Sequence, residues 1–444
     1  MELIILSVIC IVYMIISYAF SRKDIMTPSI LLCAGYLVSC ICCAMNIEWW
    51  EIDLRLNTII FLLVGISLFV LAEIYFQLVR NKFSKKNEKN CYIEERQLIK
   101  ISNTKFAVAM LIHGITAYFY IQDILRICGG NLGNISLMLD KYRRAWGYGD
   151  AQLSTLAVQS MKLSKAIGYT FLYIFFNNIF LLKKDQIILQ LKYLIPAVTY
   201  ILITFLMGGR INMITFAVAS IFLAFYNWNR KNEWKKKINV KFIKNICITL
   251  VIFLLIFYFS KTFVGRKTTR NLIDYMTVYM GGSIQLLDEY LNDETYEVKK
   301  GETFPGLLQS LYKLGFSNIS VRKSLEFRHV LDDGEYLGNV YTGLRRMYND
   351  YGYFGMMLIQ ILYSWLFNWI YYKIKTDRKD TYTSKFWVIF YAQTIYCIII
   401  QSMEDAFFIN LSLGYFIELI ILYLIIRILL PKSKVIIKQE KNNG

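Results

Sequence analysis

Long apolar runs alternate with short polar breaks along this chain, and the length of the runs says what they are. A hydrocarbon core of about 30 Å takes roughly 20 residues of helix to cross. Runs near that length recur at Leu3–Phe20, Pro28–Met45, Thr58–Leu78, Phe106–Leu125, Ile167–Leu182, Leu191–Leu206, Ile211–Phe225, Ile246–Ser260, Tyr353–Tyr372, Phe386–Gln401 and Leu411–Leu430. These eleven predict an all-α polytopic membrane protein. Only Met207-Gly208-Gly209-Arg210 divides 191–206 from 211–225, and one helix through both would run 35 residues. A tight hairpin or a broken helix is therefore expected there.

The pattern changes between Ser260 and Tyr353, where about 90 residues turn polar and then feed straight into an apolar helix. Within that segment Leu272, Tyr275, Met276, Tyr279 and Met280 fall at three-and-four spacing, which predicts an amphipathic helix over Asn271–Leu291. Gly281-Gly282 would let it bend or pack closely, and its apolar face could lie in the lipid interface. Thr303-Phe304-Pro305 then predicts a second helix to about Leu314, with Thr303 as its cap. The chain reads as a single membrane domain over 1–444, with 261–351 inserted as an external loop. Its polar chemistry is concentrated in that loop, an arrangement suited to a substrate that is half lipid and half water-soluble.

Composition agrees: hydrophobic residues make up 56% and mean hydropathy is +0.41, beyond an ordinary soluble domain. The net charge of +18 would suggest nucleic acid in a soluble protein, but its distribution points elsewhere. Lys and Arg gather at 22–23, 80–105, 183–184, 230–244, 373–385 and from 427 onward. With eleven spans these all fall on one face, which the positive-inside rule makes cytoplasmic. The amino terminus is then outside and the carboxyl terminus inside. Trp49-Trp50 reads as an interfacial pair on the outer side, and Lys141, Arg143 and Arg144 form a small basic exception there. The 261–350 stretch carries twelve basic and twelve acidic residues, so individual arginines must be placed if it is to hold an anion. The first run has Glu2, no basic lead and no cleavage pattern, so it is expected to be a retained span. Nine cysteines include Cys33, Cys40, Cys42 and Cys43 inside one apolar run; they read as small hydrophobes rather than metal ligands. No metal and no cofactor are expected.

Several residues together carry a resemblance. Gly208-Gly209-Arg210 ends a span. The loop then shows Asp274-Tyr275, Tyr279-Met280-Gly281-Gly282 and Thr303-Phe304, followed by Asn339-Val340-Tyr341-Thr342 and by Asp350-Tyr-Gly-Tyr-Phe-Gly355 entering a helix. From about residue 100 to 430 this order resembles the Wzy-type polymerases that join O-antigen, capsular or exopolysaccharide repeat units, and Asn339–Gly355 is its most specific stretch. The resemblance implies a GT-C-like helical glycosyltransferase in the bacterial cytoplasmic membrane, with its site on the external face. Its donor would be a glycan on undecaprenyl diphosphate, passed as a block to the non-reducing end of a new lipid-linked unit. The bilayer, a flippase and a chain-length regulator are the partners that fit this reading; nucleic acid is not among them.

The chemistry sets its own demands on these residues. The donor's leaving group is already a diphosphate, so no nucleotide fingerprint is needed and none is present. Asp332-Asp333 are adjacent rather than spaced like a metal motif and fit a turn with Gly334. Arginine is the natural partner for the leaving charge, because its planar fork grips phosphate oxygens in pairs. Arg210 is the first candidate and Arg266 the second, followed by Arg270, Arg345 and Arg346; snorkelling or interfacial anchoring is the plainer alternative for each. The acceptor hydroxyl must lose a proton, for which His329 is the candidate, as base or acceptor-orienting group rather than a plain surface residue, with Glu326, Asp332 and Glu335 as rivals. His113 lies inside a span and is expected to be a packed hydrogen-bonding group. Asn339, Tyr341 and Thr342 are expected to bind sugar or to hold the loop, and Gly352 and Gly355 to shape its entry into the helix. An O-antigen-ligase-like transferase and a lipid-linked oligosaccharide flippase remain as alternatives. A flippase should show repeated halves and charges scattered through the spans.

Overall fold

A computed structural model describes residues 1–84, 97–129, 135–147, 149, 151–234, 240–263, 270–293, 300–316, 325–332, 334–377 and 379–431. Among them the chain is predominantly helical: α1 (Glu2–Phe20), α2 (Pro28–Ala44), α3 (Leu56–Ser84), α4 (Asn103–Cys128), α5 (Ile135–Gly147), α6 (Thr155–Leu181), α7 (Leu194–Phe205), α8 (Ile211–Lys231), α9 (Val240–Phe263), α10 (Leu272–Leu291), α11 (Pro305–Lys313), α12 (Gly343–Thr376), α13 (Tyr382–Thr394), α14 (Tyr396–Ile399) and α15 (Leu413–Leu429). Eight described helical stretches are long and apolar enough to cross a membrane. Pro28–Ala44 is apolar but has 17 residues. Two compact units make up the fold: Met1–Lys86, Thr268–Tyr371 and Thr394–Phe416 form the first, and Asn87–Lys267, Tyr372–Gln393 and Ile417–Gly444 the second.

In the first unit α2 is the central element. Pro28 occupies its first turn, where a missing N–H costs nothing, but its own N-cap Thr27 makes no side-chain cap. Glu73 of α3 supplies one instead, accepting from the Ser29 N–H at 2.7 Å while Gln77 steadies its other oxygen at 2.8 Å. Asp288 of α10 does the same for α3, accepting from the Arg55 N–H at 2.9 Å. In both cases a carboxylate meets the positive end of a helix that it does not belong to. Small residues let backbones meet: a Cβ on Gly35 would lie 2.1 Å from the Ile399 carbonyl oxygen, and one on Gly281 2.6 Å from the Cys43 nitrogen. Cys33, Cys40, Cys42 and Cys43 are buried in this packing.

The helix expected over Asn271–Leu291 forms, with Asn271 capping the Asp274 N–H at 2.9 Å. Its expected single apolar face holds only at the start. From Gly281 to Asp288 every residue is buried, because Gly281 draws the helix onto α2. This half is core rather than an interfacial ribbon. Trp50 is likewise fully buried, so the expected pair of interfacial rings is reduced to Trp49. Thr303 does not cap α11: Phe304 holds that position, and Thr303 turns inward to donate to the Arg346 carbonyl at 3.0 Å.

Two features were not foreseen. Strands β1 (Arg328–Val330) and β2 (Tyr336–Gly338) form an antiparallel hairpin, with Arg328 opposite Gly338 and Val330 opposite Tyr336. Beyond β1 the Leu331 N–H donates to the Glu335 carbonyl at 2.9 Å, and Gly334 takes φ +74°. Helix α12 begins at Gly343, ten residues before the expected span, and is kinked at Gly352 (φ +66°, ψ −170°). The stretch 343–351 is therefore a short helix of its own, and Gly352 turns the chain into the apolar helix that follows. Gly355 is confined in turn, since a Cβ there would lie 2.1 Å from the Tyr351 Cβ.

In the second unit the break expected at 207–210 separates α7 from α8. Gly208 takes φ +68°, and a Cβ there would come within 2.9 Å of the Arg143 Cβ and 3.1 Å of the Leu139 carbonyl. α5 presses Met138, Leu139 and Tyr142 onto Ile124 and Leu206. Asp140 takes Arg143 at 2.6 Å and Arg144 at 2.8 Å, so two of the three basic residues expected to stand out there are paired. α6 starts at Thr155, twelve residues before the expected span, behind a Ser154 cap 3.2 Å from the Ala157 N–H. Its Asn178 amide brackets Ile99, accepting from the N–H at 3.0 Å and donating to the carbonyl at 2.8 Å. His113 is fully buried and shares a 2.7 Å hydrogen bond with Ser164, the packed role expected for it.

Candidate functional site

The candidate site occupies the first unit, where α10, the strap 300–304, the hairpin 328–338 and the short helix 343–351 converge. Asp350 anchors the strap. Its carboxylate accepts from three successive backbone N–H groups, Gly301 at 2.9 Å, Glu302 at 3.2 Å and Thr303 at 2.7 Å. One helical turn back, Arg345 is fully buried and forms an ion pair with Glu302, itself 1% exposed. The guanidinium lies 4.1 Å from the Tyr290 ring centre and 5.2 Å from that of Tyr341, so two aromatic faces cover a charge already met by a carboxylate. Tyr290 also donates to Asn349 at 2.9 Å. Arg346 reaches the Glu404 carboxylate at 2.9 Å. Beside them Asp405 is buried and accepts from the Phe407 and Phe408 N–H groups at 3.0 and 2.9 Å through one oxygen. Its other oxygen has no partner, and burial pushes its carboxyl up to about 7.

The hairpin side is more open. His329 forms a hydrogen bond through Nδ1 to Glu289 of α10, and their side chains keep 19% and 28% exposure. His329 adopts φ +57°, a conformation uncommon for a residue with a side chain. Next to it Arg328 binds Glu326 at 2.6 Å and Asp293 at 2.8 Å.

The sequence candidates separate clearly. His329, Arg270, Asn339, Tyr341, Thr342, Arg345 and Arg346 all belong to the first unit, and Arg210 belongs to the second. Arg266 lies outside the described residues. Arg210 is 3% exposed; it donates to the Phe257 carbonyl at 3.0 Å and stacks 4.2 Å from that residue's ring centre. Arg270 sits 3.3 Å from Glu335 and 5.5 Å from the Trp49 ring. Tyr341, 1% exposed, donates to the Glu326 carbonyl at 2.9 Å, and Asn339 reaches the Leu325 carbonyl at 3.5 Å. Thr342 is fully buried, its hydroxyl without a partner. Arg345 and Tyr341 thus act as fasteners of the loop, closed off by their own neighbours. Among the rival carboxylates, Glu326 and Glu335 are taken up by Arg328 and Arg270, while Asp332 is exposed.

Sequence reading missed Glu289, Glu302, Glu404 and Asp405. The partners of Glu289, Glu302 and Glu404 lie 40 to 58 residues away, beyond any local pattern, while Asp405 accepts from Phe407 and Phe408 close by. One signal was legible: Gln285 and Glu289 stand four apart on a helix, and the Gln285 amide donates to Glu289 at 3.2 Å. Comparison with protein-family models, with curated proteins and with solved structures returned no match.

Proposed function

We propose that this chain is a membrane glycosyltransferase that polymerises oligosaccharide units carried on undecaprenyl diphosphate, transferring the growing glycan to the non-reducing end of a new unit. One observation carries the reading. A chain built of apolar helices places a half-open histidine–carboxylate pair on a polar segment, and locks that segment to the head of α12 with buried charges. A lipid carrier needs the apolar helices, and a sugar hydroxyl needs a polar site beside them. In this reading His329 takes the hydroxyl proton. Arg270 and Arg346, in the same unit as His329, meet the diphosphate as its charge grows, while Asn339 flanks the sugar. All eleven apolar runs cross the bacterial cytoplasmic membrane, and the 261–351 segment faces outward.

A ligase would hand the same donor to an acceptor that is not a lipid-linked unit, and a flippase would move the unit unchanged. The asymmetric polar segment favours transfer over transport. The test is purified protein in nanodiscs given undecaprenyl-diphosphate-linked oligosaccharide alone. A ladder of lengthened lipid-linked glycan is expected, and it should disappear in His329→Ala. Intact substrate after long incubation, or a reporter placing Asn292 on the cytoplasmic face, would overturn the reading.

A further inference from the structure

The geometry points to Glu289, backed by Gln285, as the positioning residue that fixes which nitrogen of His329 is free, and so to the hairpin mouth as the subsite that receives an acceptor hydroxyl. This inference rests on the transferase reading for its substrate, but its structural half stands on the hydrogen bonds alone.

A neutral imidazole has one donor nitrogen and one acceptor nitrogen. Free in water it favours the proton on Nε2, which would leave Nδ1, the nitrogen nearer the backbone, as the base. Here Nδ1 faces the Glu289 carboxylate, and an ionised carboxylate can only accept. The proton is therefore drawn to Nδ1, and Nε2 is left bare. Glu289 Oε1 also accepts from Gln285 Nε2 at 3.2 Å. Gln285 is 6% exposed and its own carbonyl oxygen has no partner, so the amide has been committed to steadying the carboxylate. The three residues form a directed chain: Gln285 donates to Glu289, and His329 donates to the same oxygen. Both helix residues lie on α10, which is buried from Gly281 to Asp288, so the orienting end is rigid. The histidine end is held by the β1–β2 register and by its left-handed backbone conformation, and conformations of this kind gather at functional sites. A half-open ring with a bare Nε2 suits a hydroxyl donor.

The step balances as follows. The acceptor hydroxyl gives its proton to Nε2, and its oxygen forms the new bond to the anomeric carbon. The bond from that carbon to the diphosphate oxygen breaks, and the diphosphate leaves with the electron pair. The imidazolium, stabilised by Glu289, later returns the proton to water.

The chain has two histidines, which makes a direct test practical. In protein labelled with ¹⁵N-histidine and held in nanodiscs, long-range ¹H–¹⁵N spectra report the tautomer of each ring. His329→Ala assigns the pair, and His113, buried against Ser164, serves as the internal reference. The expected result is an Nδ1–H tautomer for neutral His329 in the native chain, reverting toward Nε2–H in Glu289→Ala, with the His113 signals unmoved. The isosteric Glu289→Gln covers the case in which the alanine variant misfolds, because its amide can donate to Nδ1 and permit the other tautomer. Transfer rate should fall roughly 10²- to 10⁴-fold in Glu289→Ala, and adding His329→Ala should cost little more, since the two act as one unit. An Nε2–H tautomer in the native chain, or additive losses in the double variant, would overturn the inference. The correct tautomer in a native protein that transfers nothing would sink the transferase reading and leave the positioning geometry standing.

Discussion

The Arg345–Glu302 pair offers the sharpest energetic test of the loop's anchorage. Arg345 has no exposed surface and Glu302 has 1%, so both charges have left water and meet in one ion pair. Removing either partner takes the opposite charge out of that pair. Arg345→Met leaves a buried carboxylate, and Glu302→Leu leaves a guanidinium against the Tyr290 and Tyr341 rings. Each single change should cost about 3–5 kcal/mol, the usual penalty for an uncompensated buried charge. The glutamate change should fall at the lower end, because two aromatic faces at 4.1 and 5.2 Å still attract the cation. The double variant removes both charges and fills the space with apolar side chains, so it should be more stable than either single one, with a coupling of a few kcal/mol. Unfolding in mixed micelles, followed by tryptophan fluorescence for the four chains of the cycle, measures this. Additive losses would refute the reasoning, since they would mean that the two charges are solvated separately.

Asp405 makes a pH prediction with a definite sign. Its carboxyl is raised from 3.8 to about 7 by burial, so between those values the folded chain holds a proton that the unfolded chain has released. Stability from this group is full below about pH 4 and is lost as pH rises through 7, with a steepest slope of about 1.4 kcal/mol per pH unit. Asp405→Asn keeps the oxygen that accepts from Phe407 and Phe408 but cannot ionise; it should flatten the thermal-stability profile from pH 4 to 8 and be the more stable protein at pH 8. An unchanged slope would remove Asp405 from the account. Arg210→Lys keeps a positive charge but loses the planar fork that both bonds the Phe257 carbonyl and stacks on its ring. The variant should lose about 1–3 kcal/mol of stability, read as a lower unfolding midpoint in micelles, and an unchanged midpoint would show that the Phe257 contacts of Arg210 carry no weight.

The membrane helices were legible because a bilayer imposes a length and a polarity that any sequence must meet. The break at Gly208-Gly209 was legible for the same reason: no single helix could carry both runs. Where tertiary contacts set the outcome, local pattern fell short. Leu272 to Met280 advertises a one-sided helix, yet the following two turns are buried on every side because Gly281 admits the α2 backbone. The three-residue strands of the hairpin are too short to show alternation. Thr303 has a capping residue's chemistry, but Asp350 claims its N–H, and its hydroxyl goes to Arg346. At the site, His329 stood out because histidine is scarce in this chain. Glu289 did not, because nothing in Asp288-Glu289-Tyr290 says that a histidine 40 residues later will arrive beside it.

The packing of α2 has a consequence for how the protein is made. Its small-residue face is completed by partners encoded far downstream: Gly281 against Cys43, Ile399 against Gly35, and Ser402 bonded to Ser39 across 363 residues of sequence. At about 5–20 residues per second, a ribosome needs roughly 20–70 s to span that interval. During this time α2 has its Gly35 and Ser39 contacts unmade, with α1 and α3 as the neighbours already synthesised. The amino-terminal helices must therefore persist as a provisional three-helix group until the last third of the chain emerges and completes the packing around α2.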